Sequence, residues 1–180
     1  MYQDVMIAGF GGQGVLVAGK LLAYAGMLEG KHVTWFPSYG AEIRGGTANC
    51  TVIIASEEIG SPVVEHPSAM LIFNEASFKK FEMRIKQGGH LFLNTSLVQS
   101  PSNRFDITRI EVRANDIAEE LGDIRVSNMV MLGAFLKITG VVMLDSVLSA
   151  LKQVLPARRH SLIPLNENAL KRGAEVCINA

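Results

Sequence analysis

Residues 5–27 pass from an unbroken apolar run through a glycine turn into a helical pattern, and few folds accept that order. Val5-Met6-Ile7-Ala8 is continuous rather than alternating, as expected of a strand covered on both faces. Gly9-Phe10-Gly11-Gly12-Gln13-Gly14 follows, and 15–27 has the periodicity of a buried helix. A strand that enters a helix through glycines presents unpaired N–H groups and a partial positive charge, which suits oxygen anions. A turn tightened by glycines with no ligand remains open as the simpler reading.

Gly9, Gly11 and Gly14 also satisfy G-x-G-x-x-G, so a dinucleotide site has to be weighed. Such a site needs an acid about 20 residues on, at the end of the second strand, to hold the ribose hydroxyls. That strand ends Trp35-Phe36-Pro37-Ser38, with no acid before Glu42, which disfavours a standard nicotinamide site. The match of Gly14 to Lys20 with G-x-x-x-x-G-K is set aside. Its middle residues belong to a buried helix, and Leu21 stands where a magnesium-binding hydroxyl is needed.

A second glycine-rich segment, Ser38-Tyr39-Gly40-Ala41-Glu42-Ile43-Arg44-Gly45-Gly46, follows the next strand. Two such loops at neighbouring strand ends predict one composite surface. Gly11, Gly12, Gln13, Gly14, Ser38, Tyr39, Gly40, Arg44 and Gly45 are its candidate binding residues. Arg44 either meets a local carboxylate or clamps a carboxylate or phosphate with its planar fork.

Strand signals lie at 5–8, 32–36, 48–55, 69–73, 90–94 and 107–112, and helix signals at 15–27, 75–86, 116–121, 128–138, 146–155 and 167–176. Ser127 and Asp145 read as helix N-caps; Gly30, Gly88, Gly122 and Gly140 read as C-caps. Strands alternate with helices at first and helices dominate after residue 113. This predicts a three-layer α/β/α sandwich with a mainly parallel sheet, mixed because 48–55 follows its predecessor after only a loop. The 180 residues suffice for a single domain, 1–180, and 57–67 reads as an irregular excursion rather than a boundary.

Lys plus Arg and Asp plus Glu number 17 each, so no overall field favours nucleic acid or an anionic membrane. Charged residues are 19%, below the roughly 25% usual in soluble domains. A well-buried core explains part of this deficit, and surface hidden against partner chains explains the rest. Cys50 and Cys177 are far apart, which excludes a thiolate metal or cluster site and fits two reduced, buried thiols in the cytoplasm. No secretory signal is visible, and the most apolar stretch, 129–144, is interrupted by Lys137 and Gly140 and too short to span a bilayer. His32, His66, His90 and His160 have no partner at metal or triad spacing, and Ser38 and Ser96 lack a nucleophile elbow. Lys152, Arg158, Arg159, Lys171 and Arg172 make the last third basic, either a solvated face or a contact for an acidic partner or an anionic cofactor tail. Neither a catalytic residue nor a metal ligand is assigned.

Taken together, Ile7 to Gly14, Ala18-Gly19 and Ser38 to Gly46 resemble the gamma subunit of 2-oxoacid:ferredoxin oxidoreductases, closest to the 2-oxoglutarate type. The similarity continues through Ile59-Gly60-Ser61-Pro62, Gly88-Gly89, Asn94-Thr95-Ser96, Asn128 to Ala134, and Asn166 to Gly173, and so covers nearly the whole chain. Many relatives carry Pro and Met where this chain has Ala41 and Ile43.

The resemblance implies a complex that converts a 2-oxoacid and coenzyme A to acyl-CoA and carbon dioxide while reducing ferredoxin. Thiamine diphosphate, magnesium and iron–sulfur clusters would sit in alpha, beta and delta (ferredoxin-like) subunits, with no cofactor bound by this chain alone. This chain would help shape the active site and coenzyme A access, and in isolation could pair with itself. Two alternatives stay open: the beta subunit of indolepyruvate oxidoreductase, and a free-standing nucleotide-binding oxidoreductase.

Overall fold

The computed structural model describes residues 1–39 and 47–176. Among these, six strands and six α-helices are found: β1 (Tyr2–Phe10), α1 (Val15–Leu28), β2 (His32–Tyr39), β3 (Thr47–Ala55), β4 (Ala69–Ile72), α2 (Glu75–Phe81), β5 (His90–Asn94), β6 (Thr108–Val112), α3 (Ala114–Glu120), α4 (Ser127–Thr139), α5 (Leu144–Val154) and α6 (Ile163–Val176). Short 3-10 turns at Glu82–Arg84, Ile124–Val126 and Ala157–Leu162 join several of them.

The strands form one sheet in the order β2-β3-β1-β4-β5-β6. β3 runs antiparallel to both neighbours, and the other adjacent pairs are parallel. The mixed sheet expected from the sequence is therefore present. Its cause is the short link from β2 to β3, since a parallel return needs a crossover of a dozen residues or more.

Alternation along the strands sorts the core into two layers. Val5 and Ile7 of β1, Leu71 of β4, Phe92 of β5 and Val112 of β6 face α1, α3, α4, α5 and α6. Met6, Ala8, Met70, Ile72, Leu91 and Leu93 face the smaller layer of α2, through Phe78 and Phe81, with Ile85 after its 3-10 turn. Both faces are covered, as the apolar strands required, but unequally.

In the larger layer α4 is central, buried all around from Ser127 to Leu136. Phe135 meets Phe92 edge-on, with ring centroids 5.6 Å apart. Burying a ring of this size stabilises by roughly 1.5–3 kcal/mol. Gly133 and Gly173 let α4 and α6 touch through their backbones: a Cβ on either would overlap the other helix's carbonyls, at Leu170 and Val130 respectively.

Two predicted caps are not caps. Ser127 and Asp145 lie inside the first turns of α4 and α5, whose N-cap positions fall to Val126 and Met143. The 3-10 turn Ile124–Val126 leads straight into α4 and is capped by the Asp123 carboxylate, which accepts from the N–H of Arg125, so the side-chain cap falls before that turn rather than at Ser127; Asp145 instead places its charge in the first turn of α5. Gly140 is a left-handed C-cap as expected, and Gly30 and Gly122 adopt positive φ one residue beyond the C-caps Glu29 and Leu121. Gly88 also has positive φ, but in a turn that precedes β5 rather than at a helix end. Among the described residues no helix is long and apolar enough to cross a membrane.

Candidate functional site

β1, β2, β4 and β5 all end at the same edge of the sheet. Ala48 pairs with Gly9 of β1 on one side and with Tyr39 of β2 on the other. The two glycine segments therefore leave the sheet about 10 Å apart, two strand spacings. Ser38 is exposed at the end of β2, while Gly40, Arg44 and Gly45 lie outside the described residues.

At this edge β1 and β4 are parallel neighbours, yet α1 packs on one face of the sheet and α2 on the other. That divergence opens a crevice at the strand ends, the place where open α/β sheets take their ligands. The crevice has a volume of about 460 Å³ and is lined by Phe10, Gln13, Asn74, Glu75, Ala76, Lys79 and Leu97.

Of the glycine loop, Phe10 and Gln13 line the crevice. Gly12 and Gly14 have φ of 106° and 74°, a region that other L residues enter at a cost. Gly14 is the N-cap of α1 and offers no side chain, so the amides of the first turn are left to other partners. Gly11 and Gly12 are exposed, and Gln13 is half-buried.

Gln13 does not reach outward. Its Oε1 accepts hydrogen bonds from the N–H of Phe10 at 2.7 Å and from Asn74 Nδ2 at 2.8 Å. On the other side, Asn128 Nδ2 at the start of α4 donates to the carbonyl of Gly14 at 3.1 Å. A Cβ on Gly14 would overlap the Asn128 carboxamide.

Behind the loop lies a second cavity of about 130 Å³, between Gly12, Gly14, Asn128, Arg125, Arg159 and Asn166. Arg125 is held by Asp123 at 2.6 Å, whereas Arg159 has no ion-pair partner among the described residues. Of the basic residues singled out in the last third, Arg159 is thus brought to the loop; Arg172 instead pairs with Glu120 at 2.9 Å.

The titratable groups with resolved shifts here are poorly matched to proton transfer at neutral pH. The Ser100 hydroxyl, which hydrogen-bonds Glu75, and the neighbouring Lys79 hold the Glu75 carboxyl down at about 2, so it stays ionised at neutral pH and is poorly matched to proton transfer. Burial pushes the Cys50 thiol up to about 12, against a weaker pull from the Trp35 indole, so this thiol stays protonated and inert. Ring nitrogens of His66 and His160 meet the backbone carbonyls of Arg84 and Leu155. Among the described residues no group of three or more His, Cys, Asp or Glu could hold a metal ion.

Sequence reasoning located the glycines but missed the roles of Asn74, which lines the crevice, and of Asn128, which lines the cavity behind the loop. Asn74 carried a readable signal as an N-cap residue, since it precedes Glu75-Ala76-Ser77. Its second bond, to Gln13, had none.

Residues 4–176 match the model of the family described as pyruvate ferredoxin/flavodoxin oxidoreductase. The ketoisovalerate oxidoreductase subunit VorA of Methanothermobacter marburgensis is 38% identical over 95% of this chain, and the chain spans about a third of its length (36%). The 2-oxoglutarate synthase subunit KorC of the same organism is 35% identical over 87% of this chain and 88% of its own. A crystal structure of the keto/oxoacid ferredoxin oxidoreductase gamma subunit of Geobacter sulfurreducens superposes with a TM-score of 0.84 at 28% identity, covering 99% of both chains. The resemblance drawn from the glycine blocks, the α/β architecture and these similarities agree: the chain belongs to the pyruvate ferredoxin/flavodoxin oxidoreductase family.

Proposed function

We propose that this chain is a gamma-type, single-domain subunit of a cytoplasmic 2-oxoacid:ferredoxin oxidoreductase. It supplies a binding wall for coenzyme A to alpha, beta and delta partners that carry the redox chemistry. The complex converts a 2-oxoacid and coenzyme A to acyl-CoA and carbon dioxide, with ferredoxin taking the electrons. Thiamine diphosphate with magnesium, and iron–sulfur clusters, supply the decarboxylation and electron transfer from the partner subunits. No step of that chemistry is assigned to a side chain here.

The observation that carries this reading is the glycine loop at the end of β1, a cradle that enters α1 without a side-chain cap and has the largely apolar crevice on one side and the Arg159 cavity on the other. Gly11 and Gly12 are exposed, and the first turn of α1 has no side-chain cap to occupy its N–H groups; Arg159, with no ion-pair partner among the described residues, lines the cavity behind, and Arg44, outside the described residues, is proposed as a second guanidinium from the other glycine segment. These groups suit the phosphates of coenzyme A. Phe10, Ala76 and Leu97 suit its less polar arm.

Purified alone, the chain is expected to show no 2-oxoacid-dependent reduction of ferredoxin, and to restore turnover when added to its partner subunits. In that reconstituted complex Arg44→Ala raises KM for coenzyme A about tenfold, the loss of one charge-assisted contact. Full turnover by the isolated chain overturns the proposal. The first substrate to test is 2-oxoglutarate. The 38% identity to a ketoisovalerate subunit, against 35% for the 2-oxoglutarate one, supports the branched-chain oxoacid as a second reading, decided by the ratio of kcat/KM values.

A further inference from the structure

We propose that Asn74 is a positioning residue for the glycine loop, acting through Gln13 to fix the N–H of Phe10 and with it the shape of the cradle. The functional half of this inference rests on the loop being the coenzyme A wall; the structural half does not.

Asn74 is 4% exposed and uses both ends of its carboxamide. Oδ1 accepts from the N–H of Ser77 at 2.8 Å and caps α2. Nδ2 donates to Gln13 Oε1 at 2.8 Å, and that same oxygen accepts from Phe10 N at 2.7 Å. A backbone N–H can only donate, so the Gln13 atom facing it has to be the oxygen. The oxygen's other neighbour then has to be a donor as well. Asparagine meets both demands in one side chain: an acceptor toward the helix and a donor toward the loop.

Aspartate separates them. It caps a helix as well as asparagine does, but sets a carboxylate oxygen against Gln13 Oε1. If Gln13 turned its amide to relieve the clash, it would face the Phe10 N–H with a second donor. Either way the Phe10–Gln13 bond is loosened or broken while α2 keeps its cap. Asn74→Ser keeps a capping hydroxyl but ends one bond short of the asparagine nitrogen, so its O–H falls out of reach of Gln13, and no charge is added. The charged groups beside Asn74 in the crevice, Glu75 and Lys79, pair with each other at 3.1 Å; Asn74→Asp adds a charge beside them and Asn74→Ser does not, so an effect common to both variants is not one of charge.

The test is amide hydrogen exchange on the full chain, followed by kinetics in the reconstituted complex. Both Asn74→Asp and Asn74→Ser should speed exchange at Phe10 about five- to tenfold, the worth of one net hydrogen bond, and leave Ser77 protected. In the complex both should raise KM for coenzyme A several-fold, with kcat and KM for the 2-oxoacid little changed. Unaltered exchange at Phe10 overturns the clamp itself. Faster exchange with an unaltered KM overturns the positioning role if Arg44→Ala does raise KM. If Arg44→Ala leaves KM unaltered too, the coenzyme A reading of the loop falls instead.

Discussion

At the scale of single residues, Gly14 concentrates the most constraints. Its φ of 74° admits other side chains only with strain, and any Cβ would enter the Asn128 carboxamide. Gly14→Ala should therefore cost about 3 kcal/mol, combining left-handed strain with overpacking, and urea unfolding will read it as a lower midpoint at unchanged slope. The sequence marked Gly14 because a glycine at a strand-to-helix turn has a local meaning. It could not mark Asn128 or Asn74 as its supports. Asn128 bonds a carbonyl 114 positions earlier in the chain, and Asn74 bonds a side chain 61 positions earlier. Nothing about an asparagine announces a partner so distant.

At the scale of elements, local patterning placed every strand and helix, and His90–Asn94 was bounded as found. The errors lie at ends, where tertiary contacts decide. β1 runs on to Tyr2 and Phe10 because β3 pairs with it along nine residues. α2 stops at Phe81 rather than continuing to 86, since Ile85 turns down into the smaller core layer and Lys86 N bonds Pro67 O. α6 begins earlier than its periodicity suggested, with Pro164 in the first turn, where a missing N–H costs nothing. Close packing of α4 on α6 was equally hidden, because it depends on two glycines 40 positions apart. Gly173→Ala should force the helices apart and destabilise by about 3 kcal/mol or more, whereas an alanine at exposed Gly60, where a Cβ meets nothing within 4 Å, should change stability little. Thermal unfolding of the two variants side by side checks this.

At the scale of the whole molecule, the missing charge and the uncovered apolar side chains belong together. The formal net charge is zero and the sequence pI about 6.9. Trp35 and Phe36 are 37% and 49% exposed on the edge strand β2, and Phe10 and Leu97 are exposed beside the crevice. An isolated chain of this kind should self-associate most near neutral pH and least at pH 9, where net charge keeps molecules apart; light scattering across that range measures it. The glycine loop has a different lesson. Asn128 ties Gly14 to the start of α4, and α4 lies backbone to backbone on α6, so the amides of the cradle are anchored in the least yielding part of the molecule. If the proposed phosphate contact is made there, the disorder of those N–H groups is given up once, as the chain folds, and not again on binding. Under the proposed function, capture there would be the filling of a mould already set.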